Sequence, residues 1–232
     1  MPLLVLCATA REMSSALGYE WVHGQGVVLD TKAHGRDVLA GTTGVGVVNA
    51  ALLIGRALDR GNVTGVVCLG VAGGFDLAET PLGSTWLVEE EIWPEYGLLA
   101  SGWASADAGA LGFPLGRVGD RRIWDRVAWD AEEDLARMGL KNFGLARTKS
   151  LTVSGVTADA ERAASLRHRH HATLENMEGF SLAYGCALAG VPFAEVRAVS
   201  NAVGSRPPRD WDLPGALGAL GQAAKRLFAP QD

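Results

Sequence analysis

Residues 173–183 read TLENMEGFSLA and residues 196–204 read VRAVSNAVG. Each stretch is an apolar, strand-like run that ends in polar residues, and one short helical pattern joins the two. Glu178 therefore follows the end of one strand, and Asn201 follows the end of the next. Because parallel sheets gather ligands at such strand ends, the two stretches predict a ligand site where they meet.

Length and composition limit the kind of protein. The 232 residues contain no repeat, low-complexity tract or linker, which predicts a single domain spanning residues 1–232. The 21 basic and 26 acidic side chains give a net charge of -5, which provides no basic surface for nucleic acid. No apolar run approaches the roughly 20 residues of a membrane helix. We therefore expect neither nucleic acid nor a membrane as a partner.

The cysteines predict a cellular compartment, and the histidine cluster is considered as a possible metal site. Cys7, Cys68 and Cys186 are widely spaced, and each lies in an apolar run. This spacing fits buried thiols in a reducing cytoplasm and no disulfide framework. Residues 167–171, RHRHH, have no cysteine or carboxylate at ligand spacing, so we interpret them as a solvated helix end. No metal site is expected.

Apolar patterning predicts alternating strands and helices. Strands are expected near residues 3–7, 26–30, 36–41, 63–69, 84–92, 145–155 and 193–200. Helices are expected near residues 10–17, 47–58, 123–138 and 180–189, and from a cap at Asp212 to about residue 228. This alternation indicates a three-layer α/β fold with a central sheet flanked by helices.

Two segments between these elements have more than one interpretation. Residues 93–122 lack periodicity, as binding loops often do. Their aromatic residues either form a wall against a ligand or pack the loop onto the body; these are Trp93, Tyr96, Trp103 and Phe113. The acidic run at residues 89–91 is interpreted as a solvated strand end.

Glycine-rich turns follow two of the predicted strands. Residues 41–50, GTTGVGVVNA, nearly match a dinucleotide-binding motif, but Asn49 stands where the third glycine belongs. Residues 69–74, LGVAGG, place Ala72 and Gly73 where backbone without a bulky side chain can approach a flat ligand. Such glycines also simply form turns, so both interpretations remain open. Similarly, Glu12 either complements a helix dipole or points into a cleft.

In order and spacing, four landmarks resemble the nucleoside phosphorylase and nucleosidase superfamily. They are ATAREM (8–13), LGVAGG (69–74), NMEG (176–179) and RAVSNA (197–202). Within it, the chain resembles methylthioadenosine/adenosylhomocysteine nucleosidases and, more closely, futalosine hydrolases of menaquinone biosynthesis. The resemblance implies the phosphorylase/hydrolase-like fold with a mixed central sheet, a small-molecule nucleoside substrate, no cofactor and a homo-oligomer.

The resemblance also assigns roles to residues. Glu12 matches the family's water-activating carboxylate, and Met177 and Glu178 match its ribose-holding pair. Ser200 and Asn201 fall on its Ser-Asp motif, with Asn201 in place of the aspartate that protonates adenine. We therefore predict Glu12 and Asn201 as catalytic residues. The predicted substrate-binding residues are Ala72, Gly73, Met177, Glu178 and Ser200.

The asparagine departs from the family pattern in a way that has a chemical meaning. A protonated aspartic acid offers one donor and one acceptor, which suits N7 and the 6-amino group of adenine. The nitrogen of an asparagine amide offers two donors, which suits the two acceptors N7 and O6 of hypoxanthine. Asn201 therefore favours a 6-oxopurine nucleoside such as futalosine.

A second departure favours water over phosphate as the nucleophile. Phosphorylases of the superfamily bind phosphate through an arginine and a serine, and the aligned positions hold Cys68 and Val71. Neither side chain binds an anion, although Arg11 could compensate. Three hypotheses remain: a futalosine-type hydrolase, a methylthioadenosine/adenosylhomocysteine nucleosidase or purine nucleoside phosphorylase, and a noncatalytic nucleoside-binding protein.

Overall fold

The computed structural model describes residues 2–59, 61–102, 104–205 and 207–229. The described strands are β1 (Leu3–Cys7), β2 (Val28–Ala33), β3 (Arg36–Thr42), β4 (Gly65–Gly74), β5 (Thr85–Ile92), β6 (Gly116–Val118), β7 (Arg121–Ile123), β8 (Arg126–Ala128), β9 (Ala146–Thr152), β10 (Leu174–Asn176) and β11 (Phe193–Ala202). The described α-helices are α1 (Ala10–Leu17), α2 (Val47–Asp59), α3 (Ala108–Leu111), α4 (Ala131–Arg137), α5 (Ala160–His170), α6 (Gly179–Ala189) and α7 (Leu213–Leu227). A short 3-10 helix covers Pro208–Asp210.

Within these ranges, nine strands form one mixed sheet in the order β10-β9-β5-β11-β4-β1-β3-β2, with β8 paired to the edge of β5. Strand β4 lies parallel to β1 and β11, whereas β5 and β11 are antiparallel. The remaining two strands, β6 and β7, pair only with each other in the described chain. The predicted α/β class with a central mixed sheet is confirmed.

Strand β1 shows how the sheet separates two cores. Leu3 and Val5 face a core that includes residues of α1 and α7, whereas Leu4 and Leu6 face a core that includes residues of α2 and α6. Side chains alternate between the faces of a strand, so a run that is buried at every position requires a cover on both sides. The three layers predicted from the sequence follow from this continuous burial.

The two stretches that first indicated the site are separated by β4. Strand β10 pairs antiparallel with the end of β4 and parallel with β9, while β11 runs parallel to β4 on its other side. Gly74 allows this crowding, because an added Cβ would lie 2.3 Å from Oγ1 of Thr80. The ends of β10 and β11 meet as predicted, but β4 lies between them. Strand β10 is antiparallel to β4, and therefore also to β11.

The predicted helix over residues 123–138 is wrong in its first half. Residues 126–128 form β8, and Val127 pairs with Glu91 of β5 and is buried. The helix begins only after Asp130, whose Oδ1 accepts hydrogen bonds from the backbone N–H groups of Glu132 (3.1 Å) and Glu133 (3.0 Å). Helical spacing of a few apolar residues did not reveal this cap.

Two polar runs are less solvated than expected. In the acidic run, Glu91 is fully buried and Glu90 is nearly so. In RHRHH, Arg167 pairs with Asp76 (3.0 Å) and Glu79 (2.8 Å), and His170 is buried. Burial lowers the pKa of His170 to about 4, with the charge of Arg126 adding to the effect. Long-range packing therefore overrides the polar composition of both runs.

Candidate active site

A cavity of about 380 Å³ opens where β1, β4, β10 and β11 end. All seven residues predicted for the site line this cavity: Glu12, Ala72, Gly73, Met177, Glu178, Ser200 and Asn201. They come from positions 12 to 201 of the chain. The sheet topology therefore brings together residues that the sequence connected only by pattern and resemblance.

Glu12 enters the cavity from the first turn of α1. Its Oε2 accepts hydrogen bonds from the backbone N–H (2.9 Å) and the hydroxyl (2.7 Å) of Thr9, which completes a capping box. Its Oε1 accepts the backbone N–H of Val71 at 3.0 Å. The side chain is thus both a helix cap and a cavity wall, so the two interpretations of Glu12 are compatible. A carboxylate has about four lone-pair sites, and Glu12 has one left for a ligand.

Glu178 also lines the cavity, from the N-cap position of α6. It is 5% exposed, and its Oε1 accepts the backbone N–H of Gly46 at 3.0 Å. Its Oε2 lies 3.6 Å from Nη1 of Arg197. Burial raises the pKa of Glu178 above its ordinary value, and the positive charge of Arg197 and the Gly46 hydrogen bond partly oppose this increase.

Arg197 and Asn176 form a buried framework that sequence reasoning missed. Nη2 of Arg197 donates to Oδ1 of Asn176 at 3.1 Å. The same Oδ1 accepts the backbone N–H groups of Glu178 (2.9 Å) and Gly179 (2.8 Å), which fixes the turn after β10. A charged pair inside the apolar run FAEVRAV (193–199) was the available signal, since charges are rarely buried without partners.

The end of the cavity formed by β11 has a β-bulge. Val199 pairs with Ala72 and Asn201 with Gly73, so Ser200 is the extra residue of β11. The hydroxyl of Ser200 donates to Oδ1 of Asn201 at 2.8 Å. Nδ2 of Asn201 donates to the carbonyl of Ala202 at 3.1 Å, which occupies one of its two hydrogens. The amide of Asn201 therefore presents one further N–H donor to a ligand, whereas two were predicted from the sequence.

Gly73 is required at this end for a steric reason. An added Cβ would lie 2.8 Å from Cγ2 of Val203 and 3.1 Å from Nδ2 of Asn201. Contacts this short would displace the amide. Gly73 and the adjacent Ala72 thus form a flat backbone wall beside Asn201.

The cavity mouth is largely apolar with one basic residue. Trp211, Leu213 and Leu217 line it together with the exposed side chain of Arg11. Met177 is half-buried on the same cavity surface as Glu178. The site therefore combines a polar floor with an apolar entrance that includes a cation.

The aromatic residues of residues 93–122 do not form part of this site. Trp93 and Tyr96 stack with ring centroids 5.7 Å apart, and Trp93 also contacts the ring of Phe180 at 5.8 Å, so they pack the loop onto the body. Phe113 is 72% exposed, and no described residue of this segment lines the cavity. Trp103 lies outside the described residues.

Across the described ranges, no group of three histidine, cysteine or acidic side chains is placed to hold a metal ion. In the same part of the chain, no helix combines the length and apolarity needed to cross a membrane.

The sequence of the chain is similar to those of known proteins. Residues 2–229 match the model of the phosphorylase superfamily. Futalosine hydrolase of Thermus thermophilus is 37% identical over 82% of this chain and 80% of its own length. Futalosine hydrolase of Streptomyces coelicolor is 36% identical over 98% and 95%, respectively.

Solved structures share the fold. A 5'-methylthioadenosine/S-adenosylhomocysteine nucleosidase from Helicobacter pylori aligns with a TM-score of 0.74 and 18% identity, covering 97% of this chain and 96% of that one. A futalosine hydrolase structure from the same organism gives the same TM-score, identity and coverage. The chain belongs to the phosphorylase superfamily and is related within it to the futalosine hydrolases.

Proposed function

We propose that the protein hydrolyses the N-glycosidic bond of a 6-oxopurine nucleoside, and that its substrate is futalosine, from which it releases hypoxanthine in menaquinone biosynthesis. The observation that carries this proposal is a cavity whose lining brings together two buried carboxyl groups and an asparagine amide, those of Glu12, Glu178 and Asn201; the third buried carboxyl group of the lining, Glu175, is hydrogen-bonded to Thr157. The names of the relatives from Thermus thermophilus and Streptomyces coelicolor support the choice of futalosine.

Glu178 is assigned to the sugar. Loosening of the N-glycosidic bond gives the sugar oxocarbenium character, and a fixed negative charge stabilises such a cation in a site with little water. The carboxylate of Glu178 accepts hydrogen bonds from the 2′ and 3′ hydroxyls, and the adjacent Met177 packs against the ring. The buried position of Glu178 supports this assignment, because its charge is poorly screened there.

Glu12 is assigned to water activation. Three hydrogen bonds orient its carboxylate, and one acceptor position remains for a water molecule. As a general base, Glu12 removes a proton while the water oxygen attacks the anomeric carbon. A binding protein would have no use for such a group, which argues against the noncatalytic alternative.

Asn201 is assigned to the departing base. Its free N–H donates to O6 or N7, both of which are acceptors in a 6-oxopurine, and so stabilises the negative charge that develops on the leaving group. Ser200 holds the amide oxygen, which keeps the nitrogen directed at the base. Ala72 and Gly73 provide the flat wall beside it.

Water is preferred over phosphate because the cations near the floor are already engaged. Arg197 is bound by Glu195 and Asn176 and lies beside Glu178. Cys68 is buried, and burial raises the pKa of its thiol well above the ordinary value. Arg11 is the cation at the mouth, and a phosphorylase would have to use it.

Arg11 is instead assigned to the 5′ substituent of the substrate. The carboxyphenyl group of futalosine needs an apolar surface and a cation, and Trp211, Leu213 and Arg11 offer both at the cavity mouth. Two other arginines, Arg206 and Arg209, follow β11 in the sequence. Arg209 is 82% exposed and lies 3.7 Å from Asp210, and Arg206 is outside the described residues.

We also propose a single-domain, cytoplasmic homo-oligomer that binds no nucleic acid and no membrane. The free, buried thiols of Cys7, Cys68 and Cys186 support a reducing compartment. Val48 and Leu52 of α2 are 68% and 63% exposed and lie close to Val45, a cavity residue that is 51% exposed. Light scattering should give a mass of at least twice 24.4 kDa, and Leu52→Glu should reduce it.

The deciding experiment is a substrate panel. The protein is incubated with futalosine, inosine, methylthioadenosine and adenosylhomocysteine, each with and without phosphate, and the released base and sugar are identified by chromatography. We expect hypoxanthine from futalosine without phosphate. Adenine as the preferred product, or a requirement for phosphate, would refute the proposal.

A further inference from the structure

Below the cavity floor, Arg197 is shared unequally between two carboxylates. Its Nε donates to Oε1 of Glu195 at 2.7 Å, whereas Nη1 lies 3.6 Å from Oε2 of Glu178. The first distance is that of a charge-assisted hydrogen bond, and the second exceeds hydrogen-bond range. Glu195 and Arg197 are two residues apart on β11, so they project from the same face of the strand, and both are essentially unexposed.

We infer that Glu195 is a positioning residue that keeps the guanidinium of Arg197 from closing onto Glu178, so that Glu178 stays open to the sugar hydroxyls. This inference rests on the proposed function, which assigns Glu178 to the sugar. Without the charge of Glu195, the guanidinium would have Glu178 as its nearest strong anion and would pair with it directly. The lone pairs needed by the sugar would then be occupied.

A neighbouring carboxyl group, Glu91 of β5, provides a contrast. An added Cβ on Gly179 would lie 2.5 Å from Oε1 of Glu91 and 2.6 Å from Oε1 of Glu195. Both carboxyl groups therefore lie next to the backbone of Gly179. Burial, and then the charge of Glu195, raise the pKa of Glu91 well above its ordinary value. The raised pKa favours the neutral form of Glu91, and within the described residues no hydrogen bond or ion pair joins Glu91 to Arg197.

The contacts of Glu91 suit a neutral group. Its Oε1 accepts from Nδ2 of Asn176 at 2.6 Å, and its Oε2 lies 2.6 Å from Oγ1 of Thr152. The hydroxyl of Thr152 has another acceptor, Oδ1 of Asn176, at 3.3 Å. A protonated Glu91, or a glutamine in its place, can thus donate to Thr152 while the rest of the network is kept.

Two substitutions separate the roles of these buried carboxyl groups. Glu195→Gln removes the carboxylate that pairs with Arg197, and Glu91→Gln replaces a carboxyl group whose raised pKa favours its neutral form. We expect Glu195→Gln to raise the KM for futalosine about tenfold, because Glu178 becomes paired. The acid limb of the kcat/KM profile should shift to lower pH by roughly 0.5 unit. The reason is that Arg197 lowers the pKa of Glu178, and the charge of Glu195 no longer raises it. Glu91→Gln should leave the acid limb in place.

The sign of the pH shift depends on the groups that face Glu178 and Glu195. Glu178 is influenced by Arg197, Glu12 and Glu195, and the charge of Glu195 raises its pKa. Glu195 is also near Glu91 of β5 and Cys68 of β4. Among these groups, the substitution at Glu195 removes one negative charge, so the pKa of Glu178 must fall. A purely structural defect would lower activity without moving the acid limb in this direction.

An unchanged KM and acid limb in folded Glu195→Gln would refute the inference. If Glu195→Gln is unstable, Glu195→Asp provides a second test, because the shorter side chain lengthens the contact to Nε of Arg197. We expect smaller changes of KM and of the acid limb in the same directions. A folded Glu195→Asp variant with neither change would also refute the inference. A ¹³C carboxyl NMR titration of Glu178 provides a readout that needs no turnover. If the wild-type protein cleaves no nucleoside, the proposed function fails, whereas this titration still decides whether Glu195 controls Glu178.

Discussion

Two of the carboxyl groups that line the cavity, Glu12 and Glu178, are held by different means. Glu12 accepts three hydrogen bonds from neutral donors, two of them from Thr9 only three residues away. Glu178 accepts one backbone N–H from Gly46 and lies beside the buried charge of Arg197. A local cap thus orients one group, and long-range electrostatics control the other. This difference suits a base that must be aimed at water and a charge that must respond to a cationic sugar.

Removal of the Glu12 carboxylate should have the largest effect. Glu12→Gln is expected to lower kcat by about 10²–10⁴, because the amide cannot accept a proton from water. Hypoxanthine binding, measured by calorimetry, should be nearly unchanged. Thr9→Ala provides the comparison: it loosens the cap, so it should lower the unfolding free energy by about 1 kcal/mol and reduce kcat much less. Full turnover in Glu12→Gln would exclude its role as the base.

Glu178→Gln removes the negative charge next to the sugar. We expect it to reduce kcat/KM by about 10²–10³, because electrostatic stabilisation of the transition state is lost. The proposed role requires the ionised form, and burial raises the pKa of Glu178. Wild-type activity should therefore fall with decreasing pH through this raised pKa, above the ordinary value of about 4.3. The pH profile of Glu178→Gln should lack this contribution to the acid limb. An identical acid limb in the variant would show that another group sets it.

A change at the base end tests specificity more than rate. Asn201→Asp should weaken cleavage of futalosine by about tenfold, because an ionised carboxylate repels O6 and N7. Protonated aspartic acid can donate to N7, so the same variant should gain some activity on methylthioadenosine. The ratio of the two kcat/KM values is the measurement. A ratio equal to that of the wild-type protein would mean that Asn201 does not read the base.

The smallest effect is expected at the cavity mouth. Arg11→Ala should raise the KM for futalosine a few-fold, roughly the loss of one partly exposed ion pair. Inosine, which lacks the 5′ carboxylate, should serve as the matched substrate and show no change. Equal effects on both substrates would place Arg11 outside the 5′ subsite.

Local signals in the sequence were sufficient to predict a strand or helix where tertiary packing favoured the same structure. The first strand and helix were predicted with the observed limits, since short-range signals mark them: a continuous apolar run forms the strand, and Glu12 lies in the first turn of the helix that follows. The Asp212 cap of α7 was predicted for the same reason. The helix prediction failed over the first half of residues 123–138, where β8 forms because the end of β5 offers a partner; the second half is helical as predicted. Such pairing depends on a strand more than 30 residues away and leaves little local signal.

The sequence by itself determined which residue types the site contains. Thr9 and Glu12 lie only three residues apart in the chain, and the landmarks around Glu178 and Asn201 are short and local. Only the tertiary structure decided how these groups are charged and oriented. It buried Glu91, Glu195 and Arg197 together, assigned Arg197 to Glu195 at 2.7 Å, and engaged one hydrogen of Asn201 with Ala202. Charge and hydrogen-bond capacity in a buried site depend on neighbours from distant strands, and the local sequence does not specify those neighbours.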